Sequence, residues 1–131
     1  MAPAELELLQ TLRAWQTQGH AAALATVVRT FGSSPRPAGS MALIRNDGAV
    51  AGSVSGGCIE QDLIERVRAA LPPSPQVLRY GATAEENQRI GLPCGGRLEL
   101  VLEPAPDAAL VDALCRAPEA SAPIARRLDL S

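Results

Sequence analysis

The chain has 131 residues, which is the size of one domain. Hydrophobic residues make up 47% of the sequence and aromatic residues only 2%, so aliphatic side chains have to supply the core. A net charge of -2 gives no overall basic footprint for nucleic acid, and the scarcity of aromatic rings removes the stacking platforms of single-strand binders.

Cysteine usage and hydropathy indicate the cytoplasm. The three cysteines, Cys58, Cys94 and Cys115, are odd in number and form no Cys-x-x-Cys pair, unlike a secreted disulfide framework. No apolar run is long enough to span a bilayer, and the N-terminus has no basic signal-peptide start. We therefore expect a cytoplasmic protein without a membrane partner.

The N-terminal third predicts a helix, a strand and an ordered loop. Leu8, Leu12 and Trp15 share one stripe of a helix that Gly19 is expected to end. Residues 22–30 alternate as a strand does. The next segment, residues 31–39, contains two prolines and two glycines, which are typical of a loop.

That loop offers a preorganised cation. Pro35 and Pro37 restrict the backbone on either side of Arg36, so its guanidinium group starts from a nearly fixed place. With the hydroxyl groups of Ser33 and Ser34, it suits recognition of a phosphate or a carboxylate. A plain surface loop with a solvated arginine is the alternative.

A hairpin then leads into a glycine-serine segment. Residues 41–45 and 49–54 predict two strands, and the Asn46-Asp-Gly48 sequence between them is a strong turn signal. Apolar residues recur at helical spacing over residues 58–71, which predicts an amphipathic helix directly after the hairpin.

The start of that helix is predicted to lie beside a reactive sulfur. Ser55 or Gly57 is expected to cap the helix, which puts Cys58 in its first turn. Unpaired N–H groups and the peptide dipoles at a helix start attract an anion and favour a thiolate. The alternative is a tight turn followed by a buried cysteine. If the segment is functional, its ligand contacts are Ser53, Ser55, Gly56, Gly57 and Cys58.

The C-terminal half contains a second glycine-rich cysteine loop. Residues 76–80 predict a strand, and the loop at residues 91–96 ends in Cys94-Gly-Gly96. Residues 97–103 alternate between leucine and polar positions, which predicts a half-buried strand.

After residue 104 the sequence becomes rich in alanine and proline. Residues 107–115 predict a helix that carries Cys115, to which we assign no chemical role. We expect one domain over residues 1–104, followed over residues 105–131 by a tail or a truncated connection.

These elements predict an α+β fold with a mixed, partly antiparallel sheet of about five strands and two or three helices. Residues 52–58 lack the lysine of a phosphate loop and the central serine of a nucleophile elbow, and the cysteines with His20 match no zinc spacing. The loops at 32–41, 52–58 and 91–96 each adjoin a strand end. If those ends share one sheet edge, the loops form a crevice that fits an anionic cofactor containing sulfur or a soft metal.

Three motifs in this order resemble the XdhC/CoxI family of accessory proteins for xanthine dehydrogenase and aerobic carbon monoxide dehydrogenase. They are Gly32-Ser-Ser-Pro-Arg36, Gly52-Ser-Val-Ser-Gly-Gly-Cys-Ile-Glu60 and Gly91-Leu-Pro-Cys-Gly-Gly96. The resemblance implies a chaperone, rather than an enzyme, that binds molybdenum cofactor (molybdopterin). Such a chaperone assists sulfuration of the cofactor and inserts it into a molybdoenzyme. Members of the family usually continue into a Rossmann-like domain.

The resemblance also implies roles and partners. By motif position, Cys58 and Cys94 would be the family's cysteines of interest and Arg36 its loop arginine. On this basis we expect the cofactor phosphate to dock on the helix start at residues 55–58 with a further bond from Arg36. Cys58 or Cys94 would then approach the molybdenum or carry sulfur during sulfuration. The implied partners are an apo-molybdoenzyme, a cysteine desulfurase and further copies of the chain in a homo-oligomer. Two alternatives stay open: an interaction module that binds no cofactor, and a thiol-dependent enzyme. The predicted cofactor contacts are Ser33, Ser34, Arg36, Ser53, Ser55, Gly56, Gly57, Cys58, Cys94, Gly95 and Gly96.

Overall fold

A computed structural model of the chain describes residues 3–31, 37–54, 59–80 and 97–120. The elements in these ranges are α1 (Pro3–Thr17), β1 (Ala22–Phe31), β2 (Met41–Arg45), β3 (Val50–Gly52), α2 (Glu60–Ala69), β4 (Gln76–Tyr80), β5 (Arg97–Pro104) and α3 (Ala108–Ala120).

The strands form one five-stranded sheet in the order β3-β2-β1-β5-β4. The predicted α+β fold is confirmed, but the sheet is antiparallel at every pairing of the described strands rather than mixed. The longest pairing joins β1 to β5, from Ala23↔Pro104 to Phe31↔Arg97, with a bulge at Val28. This pairing forms the centre of the sheet and carries the remaining strands on its two sides.

Helix α1 packs on one face of the sheet and ends near the predicted residue. Leu12 of α1 is buried in a cluster with Leu24 of β1. Gly19 follows the helix with a φ of 86°, a left-handed conformation that glycine adopts without strain. This conformation lets the His20 N–H donate to the Trp15 carbonyl oxygen at 2.9 Å, which closes the last turn.

Helix α3 packs beside α1 on the same face. It ends at Ala120, later than the predicted residue 115, and Asp107 caps it by accepting a backbone N–H with its side chain at 2.8 Å. Val111 and Cys115 are buried in the same cluster as Leu12, so Cys115 is a core residue. In the described ranges, no helix is long and apolar enough to span a membrane.

Helix α2 covers the opposite face of the sheet, and this changes the environment of β5. Leu98, Leu100 and Leu102 lie in the core cluster that includes α2. Val101 and Glu103 point to the other face, yet only 0% and 2% of their surface is exposed. The prediction of a half-buried strand is therefore wrong for the second half of β5, because helices lie on both faces of the sheet.

The β2–β3 hairpin has the predicted turn. The Arg45 guanidinium donates two hydrogen bonds to the Asp47 carboxylate, both at 2.8 Å, and the Ala49 N–H donates to the same carboxylate at 3.2 Å. Together, and in that order of importance, these bonds hold the pKa of Asp47 at about 2, below its ordinary value of 3.8. The Asp47 carboxylate therefore stabilises the folded chain in its ionised form.

Replacing this carboxylate should remove a part of the acid sensitivity. Because its pKa is lowered in the folded chain, the stabilisation by Asp47 is complete above about pH 5 and is lost as the pH falls towards 2. The difference in unfolding free energy between the original chain and Asp47→Asn should therefore shrink over that interval. Urea unfolding of both chains across the interval measures it, and a difference that does not change with pH would contradict the assignment.

Strand β3 ends at Gly52, earlier than the predicted residue 54, because Gly52 has a φ of 80°. A Cβ atom at this position would lie 2.5 Å from the Met41 carbonyl oxygen and 3.0 Å from a methyl carbon of Leu8. Only glycine therefore fits between β2 and α1 at this point.

We expect Gly52→Ala to destabilise the chain by about 2 kcal/mol or more, from backbone strain together with the clash. Gly39→Ala is the matched control, since Gly39 also has a positive φ of 95° but has no atom within 4 Å of the place that a Cβ atom would take. Urea unfolding should show a clearly larger loss for Gly52→Ala, and equal losses would show that the close approach of Met41 and Leu8 has no energetic weight.

Candidate functional site

The segments that carry the predicted site all join the sheet at one edge, which we call the rim. Because every neighbouring pair is antiparallel, β1, β3 and β4 end at the edge where β2 and β5 begin. Residues 32–36 follow β1, residues 55–58 follow β3, and residues 81–96 join β4 to β5. The strand residues at the rim are Phe31, Met41, Gly52, Tyr80 and Arg97.

Of the predicted cofactor contacts, the described part of the chain contains Ser53. The others belong to the three segments at residues 32–36, 55–58 and 81–96, outside the described residues. The strand ends that support the predicted crevice therefore lie on one side of the sheet, but the edge is staggered. By strand register the end of β3 is level with Leu102 and the end of β4 with Leu98, an offset of about 13 Å along the strands. The position of the lining side chains stays a prediction. Those side chains belong to Ser33, Ser34, Arg36, Ser55, Gly56, Gly57, Cys58, Cys94, Gly95 and Gly96.

Ser53 joins the two ends of the segment that contains Cys58. Its Oγ donates to Oε2 of Glu60 at 3.1 Å, and its N–H donates to the Met41 carbonyl oxygen at 3.1 Å. The hydroxyl group thus links the end of β3 to the start of α2 across the intervening residues. The motif alone predicts that Ser53 contacts the ligand, and it does not reveal the bond to Glu60. The sequence signal for that bond is a serine and a glutamate that flank the glycine pair at residues 56 and 57.

Helix α2 begins later than predicted. Its first residue is Glu60, and Ile59 is the N-cap residue, with no side-chain capping bond. The predicted cap at Ser55 or Gly57, with Cys58 in the first turn, is therefore wrong. The physical reason is that the Ile59 side chain is fully buried in the core, which fixes the entry of the chain into the helix.

The positive end of α2 already carries negative charge. Glu60 and Asp62 both lie in the first turn, where carboxylates interact favourably with the helix dipole. They oppose the binding of a further anion at this helix start. These two side chains argue against the predicted phosphate site at the start of α2. The prediction is based on the glycines before the helix and does not consider the charges in its first turn.

Asp62 connects α2 to the opposite side of the rim. The Tyr80 hydroxyl donates to Oδ2 of Asp62 at 2.6 Å, and Nε of Arg66 donates to the same oxygen at 2.9 Å. Tyr80 is the last residue of β4 and is 2% exposed. Burial first, and then the hydrogen bond to Asp62, raise the pKa of Tyr80 above its usual range. The hydroxyl group therefore stays protonated and donates at all ordinary pH values.

The first turn of α2 thus bonds to both outer strands of the sheet. Glu60 connects it to the end of β3, and Asp62 connects it to the end of β4. These bonds hold together the end of β3, the end of β4 and the start of α2, which are the points where residues 55–58 and 81–96 join the described elements. Within the described ranges, no group of three His, Cys, Asp or Glu side chains forms a metal site.

A double-mutant cycle tests the Asp62–Tyr80 connection. Tyr80→Phe leaves the aromatic packing and removes only the hydroxyl group, and we expect a loss of about 2 kcal/mol in unfolding free energy, as for a hydrogen bond to a charged group. Asp62→Ala removes the acceptor. Urea unfolding of both single variants and the double variant should give a coupling of about 1 kcal/mol or more. Strict additivity of the two losses would show that the bond does not stabilise the fold.

Comparison with known proteins agrees with this architecture. The XdhC and CoxI family profile matches residues 15–81. The molybdenum cofactor insertion chaperone PaoD of Escherichia coli (strain K12) is 33% identical over 112 residues, which cover 85% of this chain and 35% of PaoD. A probable xanthine dehydrogenase component of Bacillus subtilis (strain 168) is 44% identical over 75 residues, which cover 56% of this chain and 23% of that protein.

A solved structure extends the similarity to the fold. The crystal structure of a xanthine dehydrogenase from Bacillus halodurans matches 88% of this chain and 34% of its own, with a TM-score of 0.66 and 30% sequence identity. The chain thus spans about a third or less of the length of these relatives. The family match includes β1 to β4 and the segments at residues 32–36 and 55–58. The chain belongs to the XdhC and CoxI family.

Proposed function

We propose that this chain is the cofactor-binding part of an accessory protein that inserts molybdenum cofactor into a xanthine dehydrogenase-type or carbon monoxide dehydrogenase-type molybdoenzyme. The observation that carries the proposal is the common rim, because the three motif segments join the same edge of one antiparallel sheet. The relationship to a molybdenum cofactor insertion chaperone supplies the identity of the cargo.

The residue types at the rim suit this cargo. Molybdenum cofactor carries a phosphate and a pterin whose sulfur atoms bind molybdenum. A thiolate can supply a further sulfur ligand, so Cys58 and Cys94 are assigned to the molybdenum end. Glycines at positions 56, 57, 95 and 96 leave the backbone N–H groups open to a flat ring system.

We assign the phosphate to Arg36 and the hydroxyl groups of Ser33 and Ser34 rather than to the start of α2. The carboxylates of Glu60 and Asp62 repel an anion at that helix start. A guanidinium group between two prolines offers a planar fork of donors without such repulsion. This assignment separates the phosphate end of the cofactor from the thiols.

The proposal includes two kinds of partner. An apo-molybdoenzyme receives the cofactor, and a cysteine desulfurase supplies the sulfur atom for sulfuration, with Cys58 or Cys94 holding the cofactor beside it. We also propose a homo-oligomer, which light scattering of the purified chain tests.

One observation favours a second candidate function, an interaction module that docks a molybdoenzyme or a desulfurase without holding cofactor. The carboxylates in the first turn of α2 repel an anionic ligand. The Ser53 hydroxyl group already donates a hydrogen bond to Glu60. The two candidates differ in what the purified chain carries. A cofactor-binding chain absorbs light beyond the protein band and contains molybdenum, whereas an interaction module does neither.

The thiols provide the direct test. Co-expression with the cofactor synthesis enzymes, followed by molybdenum and pterin analysis, should give about one cofactor for each binding site in the original chain. In Cys58→Ser with Cys94→Ser, we expect the molybdenum content to fall to background, because both thiolate ligands are lost.

Cys115→Ala is the matched control, since Cys115 is a buried residue of α3 in the core cluster on the sheet face turned away from α2 and is not assigned to the cofactor. It should keep its molybdenum. Unchanged loading of the double variant would remove the thiols from the cofactor site, and an original chain free of molybdenum and pterin would leave the interaction module as the function.

A further inference from the structure

The sheet face turned away from α2 leaves part of its surface uncovered near the rim. Arg29 of β1 and Arg79 of β4 both lie opposite Glu99 of β5, so the three side chains form one row across the sheet. Arg97 stands two residues before Glu99 on the same strand and therefore points to the same face. All three arginines are exposed. We call this surface, with the neighbouring Val77, the arginine face.

Exposed aliphatic side chains lie on this surface and next to it. Val77 lies opposite Val101, next to the Glu99 row, and is 40% exposed. Val28, the extra residue of the β1 bulge, adjoins Arg29 and is 46% exposed. Among the described residues these two are the exposed large hydrophobic side chains. Arginines with aliphatic side chains between them are typical of protein-binding surfaces.

Three exposed arginines thus share one sheet face, although the chain as a whole has a net charge of -2. Among the described ion pairs, the one on this face joins Arg79 to Glu99. The bond from Nε of Arg79 to Oε1 of Glu99 is long, at 3.5 Å, and 66% of the Arg79 side chain is exposed. An exposed pair of this kind is weak, so Arg79 keeps most of its capacity to bind another carboxylate.

We propose that the arginine face docks an acidic protein surface, namely that of the molybdoenzyme that receives the cofactor. This inference rests on the proposed function and adds to it the place where the recipient binds. The charge of the face is complementary to carboxylates. Arg29 and Arg79 lie on strands two spacings apart, about 10 Å, which suits several separate carboxylates better than one phosphate group.

The position of the face fits delivery. Arg97 is the first residue of β5 and follows directly on the Cys94-Gly-Gly96 sequence. A partner docked on the arginine face therefore lies beside the rim rather than behind α2.

Charge reversal on the face tests the inference. The probe is a purified xanthine dehydrogenase-type molybdoenzyme prepared without cofactor, and calorimetry at low and at physiological salt measures its dissociation constant. We expect Arg79→Glu to weaken binding about tenfold, and Arg79→Glu with Val77→Asp to weaken it further, because an attractive contact becomes repulsive. The salt dependence of binding should also decrease, since fewer ion pairs form.

Arg68→Glu is the matched control. Arg68 is an exposed arginine of α2, on the other side of the sheet, so the variant has the same net charge as Arg79→Glu. It should bind the molybdoenzyme as the original chain does. Equal weakening by Arg68→Glu would show an effect of net charge alone and would contradict the inference.

Molybdenum analysis of the same variants separates this inference from the proposed function. Arg79→Glu should keep its cofactor, because Arg79 is not assigned to the cofactor site. An original chain that carries cofactor but does not bind the cofactor-free enzyme would overturn the arginine face and leave cofactor binding intact. Arg79-dependent binding of an oligonucleotide, without binding of the enzyme, would assign the face to nucleic acid and would also overturn it.

Discussion

The pairing of β1 with β5 is the constraint on which the site depends. It runs from Ala23↔Pro104 to Phe31↔Arg97 and sets the direction of both strands. β2 and β4 then add on either side in the antiparallel sense, and β3 follows β2. Because direction alternates across the sheet, segments distant along the chain join the rim together. A single parallel pairing in place of one of these would send a motif segment to the opposite edge.

The second constraint comes from α2, which joins the outer strands through its first turn. Glu60 and Asp62 have two effects, since they interact favourably with the helix dipole and also accept hydrogen bonds from Ser53 and Tyr80. The same charges oppose an anion at this helix end, although a glycine-rich sequence before a helix is typical of a phosphate site. The chemistry of a helix start therefore depends on its first-turn side chains as well as on the glycines that precede it.

Much of the fold follows from local sequence signals. β2 and β4 begin and end at the predicted residues, because turn residues precede or follow them in the sequence. Contacts between residues that are far apart in the sequence do not follow from such local signals. The Tyr80–Asp62 bond joins residues 18 positions apart, and the arginine face exists only through strand register. The burial of Glu103 depends on helices covering both faces of the sheet, which alternation within one strand does not reveal.

The distance between the two motif sulfurs tests the common rim most directly. Spin labels on Cys58 and Cys94, in a chain with Cys115→Ala, can be measured by pulsed electron resonance. The ends of β3 and β4 lie four strand spacings apart across the sheet and, by register, are offset by the separation of Leu98 and Leu102 along it, so the labels should lie within about 25 Å of each other. A distance near or beyond about 33 Å, the length of a ten-residue strand, would place the sulfurs at opposite ends of the molecule and contradict a shared site.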